Sequence, residues 1–214
     1  MHIPDGLLHP AVIATTSVVS AGGLSLALKK TRDSLDDTTV PTVGIMAAFI
    51  FVAQMLQFPA GPGVSGHLLG GALCAILLGP WTASLVLGTV LIIQCFVFQD
   101  GGLLALGANI FNMAFIGVFS AYMCYVFLKT LFPAERAGGI AVFIATFVSV
   151  IMASAAAGIE LGVSGVFQMK AGFLMIVGVH IPIGIVESLI TFLVVSFVSK
   201  TCPEYFTFFR KKPV

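Results

Sequence analysis

Long apolar runs, without period-two alternation, narrow most sharply what this chain can fold into. Lys and Arg number 10 and Asp and Glu 9 among 214 residues, so 9% are charged, where a soluble domain carries about 25%. Apolar residues make up 58% of the chain. Its mean hydropathy is +1.10. So few charges could not cover the surface of a soluble domain, whereas a helix crosses the hydrocarbon core with about 20 apolar residues. The expected fold class is an all-α membrane protein, one integral domain over residues 1–214. A transmembrane β-barrel would alternate every second residue. Sparse charge at net +1 argues against nucleic acid as a partner, and disorder would need far lower hydrophobicity. No Gly-Lys dipeptide occurs. The phosphate-cradling P-loop is therefore missing, and any ATP hydrolysis must fall to another subunit.

Seven helical spans are expected: His9–Leu28, Pro41–Phe58, His67–Gly79, Trp81–Gln99, Asn109–Phe132, Gly139–Ile159 and Ala171–Ser199. The stretch Pro59-Ala60-Gly61-Pro62-Gly63-Val64-Ser65-Gly66 is too rich in Pro and Gly for regular helix. The third span is too short to cross alone, so it is tilted or starts below the surface. The last is expected to kink or start afresh at Pro182, which cannot donate a backbone hydrogen bond. With the N-terminus outside, Lys29, Lys30, Arg32, Lys129, Arg136, Lys200, Arg210, Lys211 and Lys212 fall inside and Lys170 alone falls outside, as the positive-inside rule requires. Residues 1–8 then form an outer segment, 9–199 the bundle and 200–214 a basic cytoplasmic tail. The start has no basic residue before Lys29, unlike a signal peptide, and Met1 is expected to be retained.

Cys74, Cys95, Cys124 and Cys202 show no Cys-x-x-Cys spacing and are expected as small hydrophobes without disulfide or zinc. Small residues recur every fourth position: Ala141, Ala145, Ser149, Ala153 and Ala157, then Ser17, Ala21 and Ser25, then Gly44 and Ala48. Such ladders allow close helix approach, either within the chain or against a partner membrane subunit.

The chain opens Met1-His2-Ile3-Pro4-Asp5-Gly6. A free α-amine, the His2 amide nitrogen and a His2 imidazole nitrogen can close adjacent chelate rings around one ion once the amide is deprotonated. Planar nitrogen coordination of this kind points to Ni(II) or Cu(II). Pro4 stiffens the peptide after the chelate, and Asp5-Gly6 supplies a turn. His67, after the Gly-rich stretch and on the same side, is the natural fourth ligand; a helix cap or interfacial residue is the alternative. His180 and Glu187 stand two helical turns apart and share a face, and ionisable groups in a span mark a site or a buried pairing. Asn109 and Asn112 also share a face and could steady the outer loops around an ion. Gln54, Gln57, Gln94, His9 and Asp100 are further polar groups near span ends or in helices.

These motifs taken together resemble the CbiM/NikM family, substrate-binding membrane subunits of nickel and cobalt energy-coupling-factor transporters. The resemblance rests on Met1-His2-Ile3-Pro4-Asp5-Gly6, on Gly63-Val64-Ser65-Gly66-His67-Leu68-Leu69-Gly70-Gly71, and on Gln99-Asp100-Gly101-Gly102 through Asn109 with Asn112-Met113-Ala114. His180-Ile181-Pro182-Ile183-Gly184 with Glu187 completes it. It implies an extra N-terminal helix before a six-helix core, and an N-terminal segment tucked into that core from outside. It implies a metal site of Met1, His2 and His67, which Ser65, Asn109, Asn112, His180 and Glu187 could support. It further implies a transmembrane coupling subunit, two ATPase subunits and in some systems a small accessory membrane subunit, in the inner (plasma) membrane of a prokaryote. The ion is cargo, and no resident cofactor is expected. Nickel is preferred over cobalt for a planar nitrogen set.

The rival reading is a rhomboid-like intramembrane serine protease, since Gly63-Val64-Ser65-Gly66 is a Gly-x-Ser-Gly, with Ser65 as nucleophile and His180 as base. It leaves Met1-His2 unexplained. A metalloprotease lacks its His-Glu-x-x-His, and a passive channel or carrier has no support beyond the fold class.

Overall fold

The computed structural model describes residues 1–32, 35, 39–59, 65–131 and 134–201. Most of the expected basic tail, with Arg210, Lys211, Lys212 and Cys202, lies outside the described residues, as do Gly63 and Val64.

Helix α1 (Pro10–Thr31) starts where His9 caps the Ala11 amide through Nδ1 at 3.2 Å and Pro10 presets the first turn. It ends with Lys29 and Lys30 in its last turn, where cations suit the helix dipole. Helix α2 (Val40–Met55) also carries Pro in its first turn. Phe58–Pro59 (β1) and Ser65–Gly66 (β2) pair antiparallel over two residues each. Helix α3 (Gly71–Leu78) and α4 (Pro80–Phe98) meet at Gly79, whose φ of +80° is a conformation that favours glycine.

After Gln99, held at φ +55°, a loop leads into α5 (Leu106–Ile110), a π-helical stretch (Phe111–Gly117) and α6 (Val118–Leu131). Ser84 of α4 donates to the Ala114 carbonyl at 2.6 Å and Ser149 donates to the Gly117 carbonyl at 2.8 Å. These bonds stabilise the wider turn by giving two of its carbonyls donors from neighbouring helices. The chain closes with α7 (Ala134–Val163) and α8 (Met169–Thr201), the most extensive helix pair.

Five of these helical stretches are long and apolar enough to cross a membrane, Val40–Met55 being a shorter apolar one. Val18, Ile45, Phe96, Val97, Phe127, Leu193 and Phe197 are exposed, and so continuous an apolar exterior suits lipid rather than water. In α3, by contrast, nearly every residue is buried between α4, α6, α7 and α8. Its brevity therefore has a physical reason: it is a core helix with no lipid-facing side. The ladder Ala141, Ala145, Ser149, Ala153 and Ala157 is wholly buried, so it packs within the chain. Ala21, Ser25, Gly44 and Ala48 are exposed.

Several expected boundaries change. The second helix ends at Met55 instead of Phe58, and the helix expected over Gly139–Ile159 runs from Ala134 to Val163. The third helix begins at Gly71, four residues after His67, because Gly70 takes φ +75°, outside the right-handed helical region. The fifth stretch begins at Leu106 instead of Asn109. Helix α8 runs unbroken through Pro182; it neither starts afresh there nor needs to, since packed neighbours tolerate a missing intrahelical bond in membrane helices.

Candidate metal centre

The first five residues do not form helix or strand, so their backbone groups must find partners elsewhere. The Ile3 N–H donates to Asn109 Oδ1 at 2.8 Å, and Asn109 Nδ2 returns a bond to the Ile3 carbonyl at 3.1 Å. That carbonyl also accepts from the Gly102 N–H at 2.9 Å. The Asp5 carboxylate accepts from three successive amides, Leu103 at 3.0 Å, Leu104 at 2.8 Å and Ala105 at 3.2 Å. A Cβ on Gly102 would collide with Asp5, so glycine is what lets the two segments approach. Docked this way, Met1, His2 and Ile3 are buried at 1%, 4% and 0% exposure, as an N-terminus tucked into the core requires.

The second half of the centre is the irregular strap Ser65–Gly70. His67 is 1% exposed and its ring stacks on that of His2, centroids 4.5 Å apart at 24°. Its Nδ1 lies 2.8 Å from the Leu68 carbonyl. That contact fixes the proton on Nδ1 and leaves a lone pair on Nε2, which is buried without a hydrogen-bond partner among the described residues. The Leu69 and Gly70 amides donate to the two oxygens of Glu187 at 2.6 and 2.8 Å, and Gln54 Nε2 donates to the Leu69 carbonyl at 2.7 Å. The His2 amide donates to Ser65 Oγ at 3.3 Å.

Electrostatics favours neutral donors here. Burial holds the Met1 amine well below its ordinary range, against the pull of Asp100 and Glu187. Burial, and then the neighbouring amine, bring His2 down to about 3. His67 is also driven well down, by burial first and by the amine and His2 after it. Amine and imidazole in their neutral forms are the forms that bind metal. Among the described residues neither His2 ring nitrogen, both buried, has a hydrogen-bond partner, although Nδ1 lies 3.3 Å from Asp100 Oδ1. Burial raises Asp100 above the usual carboxylate range. Among the described residues no three His, Cys, Asp or Glu side chains form a metal cage, so a metal held here must draw on the backbone amine and amide as well.

The structure thus brings Met1, His2 and His67 together, with Ser65, Asn109 and Glu187 bonded to the segments that carry them. His180 is fully buried; its Nδ1 lies 2.7 Å from the Ile176 carbonyl, and among the described residues its Nε2 has no hydrogen-bond partner. No hydrogen bond of the kind the protease reading requires therefore joins Ser65 to His180. Asn112 is bonded away from the N-terminal segment: its Nδ2 donates to Glu160 Oε2 at 2.7 Å. Sequence reasoning passed over Glu160, although an acidic residue at the end of an apolar run is a signal in itself. It gave Asp5 only a turn, and left Asp100 and Gln54 among unassigned polar groups.

The sequence profile of the CbiM family, the cobalt uptake substrate-specific transmembrane region, matches residues 2–205. A putative fused nickel transport protein NikMN of Archaeoglobus fulgidus is 39% identical over 206 residues, covering 95% of this chain and 67% of that protein. The cobalt transport protein CbiM of Acetoanaerobium sticklandii is 30% identical over 207 residues, covering 91% of this chain and 82% of that protein. A crystal structure of a truncated transition metal transporter aligns with a TM-score of 0.87 at 35% identity, covering 94% of this chain and 99% of its own. The buried N-terminus, the two stacked histidines and a profile match that spans most of the sequence converge on one assignment: the chain belongs to the CbiM family of cobalt-uptake substrate-specific transmembrane proteins.

Proposed function

We propose that this protein captures Ni(II) or Co(II) as the substrate-binding membrane component of an energy-coupling-factor transporter. The observation that carries the reading is the burial of the Met1 amine, His2 and His67 in one place with neutral nitrogen donors. The Met1 amine, the His2 amide and a His2 ring nitrogen supply one side of a planar set, and His67 completes it through Nε2, the ring nitrogen its backbone contact leaves free. Binding through the His2 amide displaces the proton that faces Ser65 Oγ. Four planar nitrogens favour Ni(II), and copper would bind still more tightly by the Irving–Williams order, so selectivity draws on metal supply and on the closed surroundings.

The wider reading has seven spans, the N-terminus outside and the C-terminus in the cytoplasm of a prokaryotic cell. A transmembrane coupling subunit, two ATPase subunits and in some systems a small accessory subunit supply the energetics. Its support is the distribution of basic residues and the absence of a P-loop in the sequence.

The test is metal content and affinity of the purified protein with a free amine, against the same protein acetylated at Met1. Acetylation removes one chelate ring and is expected to cost at least about 100-fold in nickel affinity, and His67→Ala about 10- to 100-fold. Undiminished binding after acetylation would overturn the site.

A further inference from the structure

His67 does not sit on a helix that would fix its direction. It sits on an irregular strap, and what holds that strap in place decides where its ring points. The Leu69–Gly70 peptide is gripped on both edges, its C=O by Gln54 of α2 at 2.7 Å and its N–H by Glu187 of α8, which also takes the Leu69 N–H at 2.6 Å. Gly70 has φ +75°, and its N–H turns to the same carboxylate at 2.8 Å. Two successive amides thereby form a small anion-binding concavity around Glu187. Gln54 and Glu187 are 0% and 2% exposed, so water does not compete for these bonds.

Glu187 meets residues 69 and 70, and His180 lies seven positions earlier on the helix, about 10 Å along its axis at 1.5 Å per residue. His67 stands two to three extended residues before the clamp, roughly 7–10 Å away. The helix face bearing His180, Ile183 and Glu187 is buried. An open groove lies between Leu56 and Gln57 after α2 and Val179, Pro182 and Ile183 of α8, and it reaches His67.

We infer that Glu187 and Gln54 are positioning residues which hold the Leu69–Gly70 peptide from opposite edges and so set where His67 presents its free Nε2. The clamp rests on the reading of His67 as a metal ligand. It makes the affinity of the site a property of the α2–α8 spacing: any change that separates these helices pulls on the peptide next to the ligand.

The experiment is a double-mutant cycle on nickel affinity, with a free N-terminus throughout. Glu187→Gln replaces one acceptor oxygen by a donor, and Gln54→Met removes the amide at similar volume. Each is expected to weaken nickel binding about 10- to 100-fold when His67 is present, and to add nothing in the His67→Ala background. Hydrogen–deuterium exchange over residues 67–71 should rise in both variants. A loss of equal size in both backgrounds would assign these residues a general structural role and overturn the clamp, as would affinity unchanged in the presence of His67. If Glu187→Gln does not fold, Gln54→Met decides alone. A His67→Ala variant that binds like the parent removes the metal site itself, which separates failure of the site from failure of the clamp.

Discussion

Asp5 and Glu187 do the same chemistry at different depths. Each spends both carboxylate oxygens on successive backbone amides: Asp5 on Leu103, Leu104 and Ala105 at an exposed rim, Glu187 on Leu69 and Gly70 in the interior. One ties down the segment that carries the amine and His2; the other ties down the strap that carries His67. At the rim, water stands ready to replace the carboxylate. In the interior nothing does, and an amide that loses its acceptor there is left with the full desolvation cost. One motif can thus serve as an adjustable latch or a fixed bolt, according only to where it is placed.

The largest effect should come from Glu187→Ala. Two buried N–H groups lose their acceptor, at about 1–3 kcal/mol each, and the variant should melt far below the parent in detergent whether or not metal is present. Asp5→Ala comes next. Its amides regain water, so the loss should resemble that of a helix cap, about 0.5–2 kcal/mol. It should show chiefly as faster proteolysis or exchange of residues 1–5. If the two substitutions cost the same, depth is not what separates them. Ser65→Ala should be the smallest: at 3.3 Å the His2 amide bond is long, so nickel binding should stay within a few-fold of the parent, and a complete loss would show that Ser65 does more than accept a hydrogen bond.

Much of the architecture was legible because lipid imposes a simple rule: apolar runs of sufficient length become helices. Met1, His2 and His67 could be named together as candidate donors, because the chelate geometry is local to a dipeptide and glycine marked the approach of His67. What holds them was not legible. Asn109 and Ile3 are 106 positions apart, and Glu187 and Leu69 are 118, and no periodicity announces such a bond. The helix expected from His67 starts only at Gly71 because Gly70, its amide drawn to Glu187, sits at φ +75°, outside the right-handed helical region. Of the two outcomes expected at Pro182, the fresh start does not occur: the missing donor is a local fact, and the continuity of α8 depends on its packed neighbours. The π-helical turn at Phe111–Gly117 likewise depends on Ser84 and Ser149 from two other helices.

The long separations also set an order of assembly. Both halves of this centre are made long before the residues that fix them. Ile3 cannot be held until Asn109 exists, nor can the strap beside His67 be clamped until Glu187 has been synthesised and α8 has packed. Loop closures of this length are slow steps in forming a structure. Throughout the insertion of the earlier helices the amine and both histidines therefore remain without their final partners, and the centre matures as a closing event of biogenesis, after most of the bundle is in place.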